Sequence, residues 1–163
     1  MSNNGRAISA MASHDLPAIL AIEQQSPSPW SMTQLEGEFF GANGLHLVCT
    51  EETNGRICGY VMSRHIADEA EILRLGVNIE DRRRGIASLL LKSLLQNLRY
   101  KSVNRCHLEL RGANTRARSL YEKFDFVMTG RRKNYYTDPQ DDAVCMSMDI
   151  PEEPSAIPHL ANK

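Results

Sequence analysis

The chain has 163 residues, 42% of them hydrophobic and 24% charged, which fits one domain with a single sizeable core. A formal net charge of −1 argues against a protein held on nucleic acid by bulk electrostatics, so no direct nucleic-acid partner is expected. The longest apolar run, Ser88 to Leu95, is interrupted by Lys92 and Ser93, so no membrane span is expected either.

In chain order, residues 1–6 are polar and read as frayed. A first helix is predicted from about Asp15, with Pro17 tolerated in its first turn and Leu16, Ile19 and Leu20 on one face. Ser26-Pro27-Ser28-Pro29 breaks the chain. Ser31 with Gln34 then forms a capping-box pattern for a second helix, with Trp30 and Leu35 in staple positions. Leu45 to Thr50 reads as a strand, Asn54-Gly55 as a hairpin turn, Ile57 to Ile66 as the returning strand and Ala70 to Val77 as a third.

Ile86, Leu89, Leu90, Leu94, Leu95 and Leu98 mark one face of a long helix. Cys106 to Leu110 predicts a strand, Asn114 to Lys123 a helix, and Phe126 to Thr129 with Val144 to Ile150 a closing pair of strands. From Pro151 the tail is proline-rich and polar, and reads as disordered and outside a domain spanning 1–150. Helices first, then a meander, then strand–helix–strand–helix–strands, imply a mixed α/β sheet with helices on both faces.

The four cysteines Cys49, Cys58, Cys106 and Cys145 are scattered without a CxxC pair. They read as buried thiols in a reducing compartment, with no metal site and, by elimination, a cytoplasmic location. The N-terminus has no basic region followed by an apolar stretch, so no secretory signal is expected.

Between the third strand and the long helix lies Arg82-Arg83-Arg84-Gly85-Ile86-Ala87-Ser88. A helix N-terminus offers unpaired N–H groups and partial positive charge, which suits a pyrophosphate. Gly85 and Ala87 permit close approach to the backbone, and the arginines add charge. The turn is neither GxxxxGK[ST] nor GxGxxG. An exposed basic loop capping an ordinary helix is the alternative, and the turn by itself leaves it open.

Arg82-x-x-Gly85-x-Ala87 resembles the [QR]xxGx[GA] signature of the GNAT acetyltransferase superfamily. Asn114-x-x-Ala117-x-x-Leu120-Tyr121-x-x-Phe124-x-Phe126 resembles its second hallmark. Ile22-Glu23-Gln24, Pro29-Trp30-Ser31, Asp68-Glu69-Ala70, Leu108-Glu109-Leu110-Arg111 and Arg131-Arg132-Lys133-Asn134-Tyr135-Tyr136 are similar to the branch that acetylates N-terminal alanine on a ribosomal small-subunit protein. Together these stretches cover most of residues 7–150.

The resemblance implies a central, largely antiparallel mixed sheet of about six to seven strands flanked by about four helices. It implies acetyl-coenzyme A as cosubstrate, its pantetheine arm on Leu75, Gly76 and Val77, its pyrophosphate on Arg83, Arg84, Gly85, Ile86, Ala87 and Ser88, and a further contact from Asn114. It makes the N-terminus of a ribosomal small-subunit protein the acceptor. Trp30, Tyr135 and Tyr136 become acceptor-binding candidates. Glu23, Asp68 and Glu69 become candidates to receive an arginine in the acceptor's second position.

The chemistry needs a neutral amine, a stabilised oxyanion and a proton for the leaving thiolate. A peptide α-amine has a pKa of about 7.7–8.0, so a modest base suffices. Glu109 lies in an otherwise apolar run that should partly bury it and raise its proton affinity; by resemblance it is the proton acceptor. Tyr121 matches the family's proton donor, and the oxyanion falls to a backbone N–H near Val77. The structural alternatives are an ion pair from Glu109 to Arg111 or Arg74, packing for Tyr121, a helix cap for Asn114 and core aromatics for Tyr135 and Tyr136.

Three positions depart from the pattern. Gln25-Ser26-Pro27-Ser28 replaces a loop that often carries an aromatic residue, Asn78-Ile79 replaces Asp-Pro, and Asp125 replaces a glycine expected to be left-handed. An acetyltransferase for lysine or small amines, and a non-catalytic acyl-coenzyme A sensor, remain as alternatives.

Overall fold

The computed structural model describes residues 5–152. Its elements are β1 (Arg6–Ala10), α1 (Leu16–Glu23), α2 (Met32–Phe39), β2 (Gly44–Glu51), β3 (Ile57–Ile66), β4 (Glu69–Val77), α3 (Ile86–Tyr100), β5 (Arg105–Arg111), α4 (Thr115–Lys123), β6 (Val127–Thr137) and β7 (Gln140–Asp149). The seven strands form one sheet in the order β1-β2-β3-β4-β5-β7-β6. All neighbours are antiparallel except β4 and β5, joined through the α3 crossover. This is the mixed sheet with helices on both faces that the sequence implies.

The capping box forms as expected: Ser31 Oγ accepts from Gln34 N (3.2 Å), and Gln34 Oε1 accepts from Ser31 N (2.9 Å). Two leading donors of α2 are thereby satisfied, and Leu35 is delivered into the core fully buried. Asp125 adopts φ 67°, the left-handed conformation anticipated for it.

The sheet separates two apolar cores. On one face Leu90, Leu91, Leu94 and Leu98 of α3 and Tyr121 of α4 pack on Cys58, Val61, Ile72, Cys106, Leu108 and Leu110. On the other, Leu16, Ile19 and Ile22 of α1 and Leu35 of α2 pack on Val48, Tyr60 and Met62. Strand alternation assigns each side chain to one face, so Leu108 and Leu110 point toward α3 while Glu109 and Arg111 point the other way.

Two expectations are corrected. A strand, not a helix, opens the described chain: β1 pairs with β2, Ile8 opposite Cys49. It is a five-residue edge strand with no fully buried side chain, held by its backbone ladder, and so leaves no hydrophobic periodicity. The closing hairpin is also longer than Phe126–Thr129 and Val144–Ile150. β6 is the other edge and is exposed almost throughout, so its charged residues hide a strand eleven residues long. Phe126 precedes β6 and is buried, edge-on to Tyr121 at 5.4 Å. The tail beyond 152 and the first four residues lie outside the described residues.

Candidate active site

Strands β4 and β5 pair only from Glu69–Arg105 to Ile72–Leu108. Beyond that point they part, and the backbone groups of Leu73 to Val77 that face β5 lose their ladder partners. A cleft of about 1080 Å³ occupies the gap, lined among others by Leu75, Gly76, Val77, Gly85, Ala87, Glu109, Asn114 and Tyr121.

Its phosphate end is built by α3. Gly85 is the N-cap at φ 75°, and no side chain caps the helix. The leading N–H groups therefore lack a partner, and Gly85, Ile86 and Ala87 line the cleft beside Arg82 and Arg83. A Cβ on Gly85 would meet nothing within 4 Å, so the space above the turn is open. These features fit a pyrophosphate. Arg84 and Ser88 fall outside the lining, and Arg84 lies 3.6 Å from buried Asp81. Asp81 is held chiefly by Arg56 (2.8 Å), so the turn is anchored to the sheet. Asn114 caps α4 by accepting from Ala117 N (3.2 Å) and also lines the cleft, so its two expected placements coincide.

Tyr121 enters from the α3/α4 side and is 7% exposed. Burial pushes its phenol well above the ordinary range. Glu109 stands on the opposite face of the sheet, and its placement corrects the expected burial. Its side chain is 32% exposed, and Oε1 lies 3.1 Å from Arg132 Nη2 and 3.7 Å from Cys145 Sγ. The strand is flanked as predicted, but the neighbouring side chains leave this face open. The partner is Arg132 rather than Arg111 or Arg74.

Those two arginines serve elsewhere, a role that the sequence reading missed. Arg111 Nη2 donates to Ser28 Oγ (2.6 Å) and Asp138 O (3.2 Å), while Nη1 donates to Pro139 O (2.8 Å). Its guanidinium lies 4.1 Å from the centre of the Tyr136 ring. Arg74 donates to Ser28 O (3.1 Å) and pairs with buried Glu23. The signal available was the alternation that puts Arg111 on the same strand face as Glu109.

Of the acceptor candidates, Tyr136 lines the cleft, whereas Trp30 packs on the α1/α2 core and Tyr135 is an exposed residue outside the lining. Glu23 is consumed by Tyr60 Oη, Arg74 and the backbone N–H of Trp30. Asp68 and Glu69 stand at the start of β4, at the end away from the cleft, near Asn104 and His107. None of the three is free at the cleft to meet an acceptor arginine. Among the described residues no group of three or more His, Cys, Asp or Glu could hold a metal, and no helix is long and apolar enough to cross a membrane.

An uncapped helix N-terminus meeting a pair of parted strands, with a phenol and a carboxylate on its two sides, is the architecture of a coenzyme A-dependent acyltransferase. The acetyltransferase (GNAT) family matches residues 14–126. The chain is 34% identical over 149 residues to the [ribosomal protein bS18]-alanine N-acetyltransferase of Salmonella typhimurium, covering 88% of this chain and 97% of that protein. It is 33% identical over 147 residues to the enzyme of the same name from Escherichia coli K12, covering 88% and 97%. The crystal structure of the ribosomal-protein-S18-alanine N-acetyltransferase from Escherichia coli superposes with a TM-score of 0.85 at 30% identity, covering 93% of this chain and 98% of that one. The chain belongs to the acetyltransferase (GNAT) family, and it is an acetyl-coenzyme A-dependent N-acetyltransferase.

Proposed function

We propose that this enzyme acetylates the α-amine of an N-terminal alanine on a ribosomal small-subunit protein, by direct attack with Glu109 as base and Tyr121 as acid. The observation that carries the mechanism is the placement of these two groups on opposite faces of one cleft. The acceptor is supported by the two relatives and the solved structure, each named for that reaction.

Leu75, Gly76 and Val77 offer unpaired strand backbone to the pantetheine arm, and Arg83, Gly85, Ile86 and Ala87 receive the pyrophosphate. The incoming amine approaches from the Glu109 face. An α-amine with a pKa near 8 is partly neutral at physiological pH, so Glu109 need only take one proton, directly or through water. The nitrogen lone pair attacks the thioester carbonyl, and an N–H near Val77 meets the oxyanion. As the C–S bond breaks, Tyr121 gives its proton to the sulfur. Its phenol is held protonated by burial, and burial raises a neighbouring thiolate's proton affinity as well. The Cys106 thiol in the same core is pushed up to about 12.

The test is mass spectrometry of three acceptors after incubation with enzyme and acetyl-coenzyme A: a peptide beginning Ala-Arg, an N-blocked lysine peptide and spermidine. One acetyl group on the first residue of the Ala-Arg peptide is expected. Faster turnover of lysine or spermidine would replace this acceptor, and binding of acetyl-coenzyme A without any product would point to a sensor.

A further inference from the structure

Ser28 lies in the loop between α1 and α2, and two arginines hold it. Arg74 of β4 and Arg111 of β5 converge on it from the two strands that part to form the cleft. Arg74 takes its carbonyl and Arg111 its hydroxyl, at 3.1 and 2.6 Å. The same Arg111 guanidinium donates to the carbonyls of Asp138 and Pro139 at the tip of the β6–β7 hairpin and covers the Tyr136 ring. One side chain thus joins the α1–α2 loop, the hairpin and an aromatic wall. Ser26, Pro27, Ser28, Tyr136 and Pro139 all line the cleft.

We propose that Arg111 is a positioning residue that fixes the width of the acceptor entrance, and that Ser28 is its partner in excluding first residues larger than alanine. Charge-assisted bonds from a planar guanidinium are directional, so they hold two loops at one separation where a lysine would not. Arg74, paired with buried Glu23, fixes the other side of the loop, and Arg111 ties that loop to the hairpin. The cradle at Gly85 is on the other face and is untouched by this contact. The inference rests on the N-terminal acetyltransferase reading and deepens it.

The experiment compares wild type, Arg111→Lys, Arg111→Gln and Ser28→Ala on peptides beginning Ala-Arg and Leu-Arg, with acetyl-coenzyme A affinity measured by calorimetry. Wild type must first turn over the Ala-Arg peptide; if it does not, the proposed function fails and the strap is refuted with it. Given that activity, Arg111→Gln should raise the Ala-Arg KM about tenfold, and Ser28→Ala about threefold, with cosubstrate affinity within twofold. Arg111→Lys should resemble the glutamine variant rather than wild type. The preference for Ala over Leu should fall at least threefold in every variant. Unchanged KM and preference would overturn the strap, as would an equal loss of cosubstrate affinity. If Arg111→Gln does not fold, Ser28→Ala decides by the same two readouts.

Discussion

Glu109 and Cys145 face each other directly across β5 and β7, and the Cys145 thiol lies 3.7 Å from the Glu109 carboxylate. Burial and the Glu109 carboxylate raise the Cys145 thiol too, but it is only half-buried, whereas the other three thiols are buried and those of Cys49 and Cys106 are pushed up to about 12. With Glu109 as the proposed base, a bulky group on Cys145 would crowd the acceptor amine. Iodoacetamide at pH 8 should therefore label Cys145 first, with acetylation activity falling in step, while Cys49, Cys58 and Cys106 react only after denaturation. Peptide mapping against residual activity checks this; early labelling of Cys106 would contradict it.

Removing the proposed acid and base should separate chemistry from binding. Glu109→Gln and Tyr121→Phe are each expected to lower kcat by about 10²-fold or more while acetyl-coenzyme A binds within a few-fold of wild type. Stopped-time assays with calorimetry on the same preparations decide it. Full activity in both variants removes the proposed roles.

The turn at Gly85 makes a demand on backbone conformation rather than on space. At φ 75° a side chain is strained, although a Cβ there meets no neighbour. Gly85→Ala should cost about 1 kcal/mol of stability, and Gly85→Val more. Both should weaken acetyl-coenzyme A binding by shifting the leading N–H groups of α3. Denaturant melts and calorimetry report the two effects separately.

Stability should decline at both pH extremes for identifiable reasons. Burial raises the Tyr60 and Tyr121 phenols above the ordinary 10.0. Their folded values exceed the unfolded ones, so their contribution is complete below pH 10.0 and is lost as pH rises toward the folded values. Asp81 runs the other way. Arg56 lowers its pKa below 3.8, so its contribution is complete above that pH and is lost as pH falls through the folded value. Tyr121→Phe should flatten the alkaline decline and Asp81→Asn the acid one, measured as Tm against pH.

The sequence carried the interior of the sheet and the cradle because both leave local marks. Ile57–Ile66 is matched residue for residue by β3, and the α3 leucines announce their face. The two edge strands left none, since β1 and β6 are held by backbone bonds and bury little. At the site, the Gly85 turn and the Asn114 cap were legible because each opens a helix, whereas Tyr121 was singled out only by resemblance to the family's motif. The Arg111–Ser28 bond was not, because it joins residues 83 positions apart. Glu109 was singled out as a residue but not in its surroundings: the β4–β5 pairing ends at Leu108, just before it, and that is a tertiary property.

The parting of β4 from β5 also bears on kinetic order. In the proposed reaction the donor lies against α3 and α4, and the acceptor enters past Ser28 and Tyr136 on the opposite face of the sheet. Neither has to leave before the other arrives, and no nucleophile of the chain is needed to hold the acetyl group between visits. Double-reciprocal plots at several fixed donor concentrations should intersect rather than run parallel. On that proposal the gap between two strands acts as two doors, with both substrates present when the bond is exchanged.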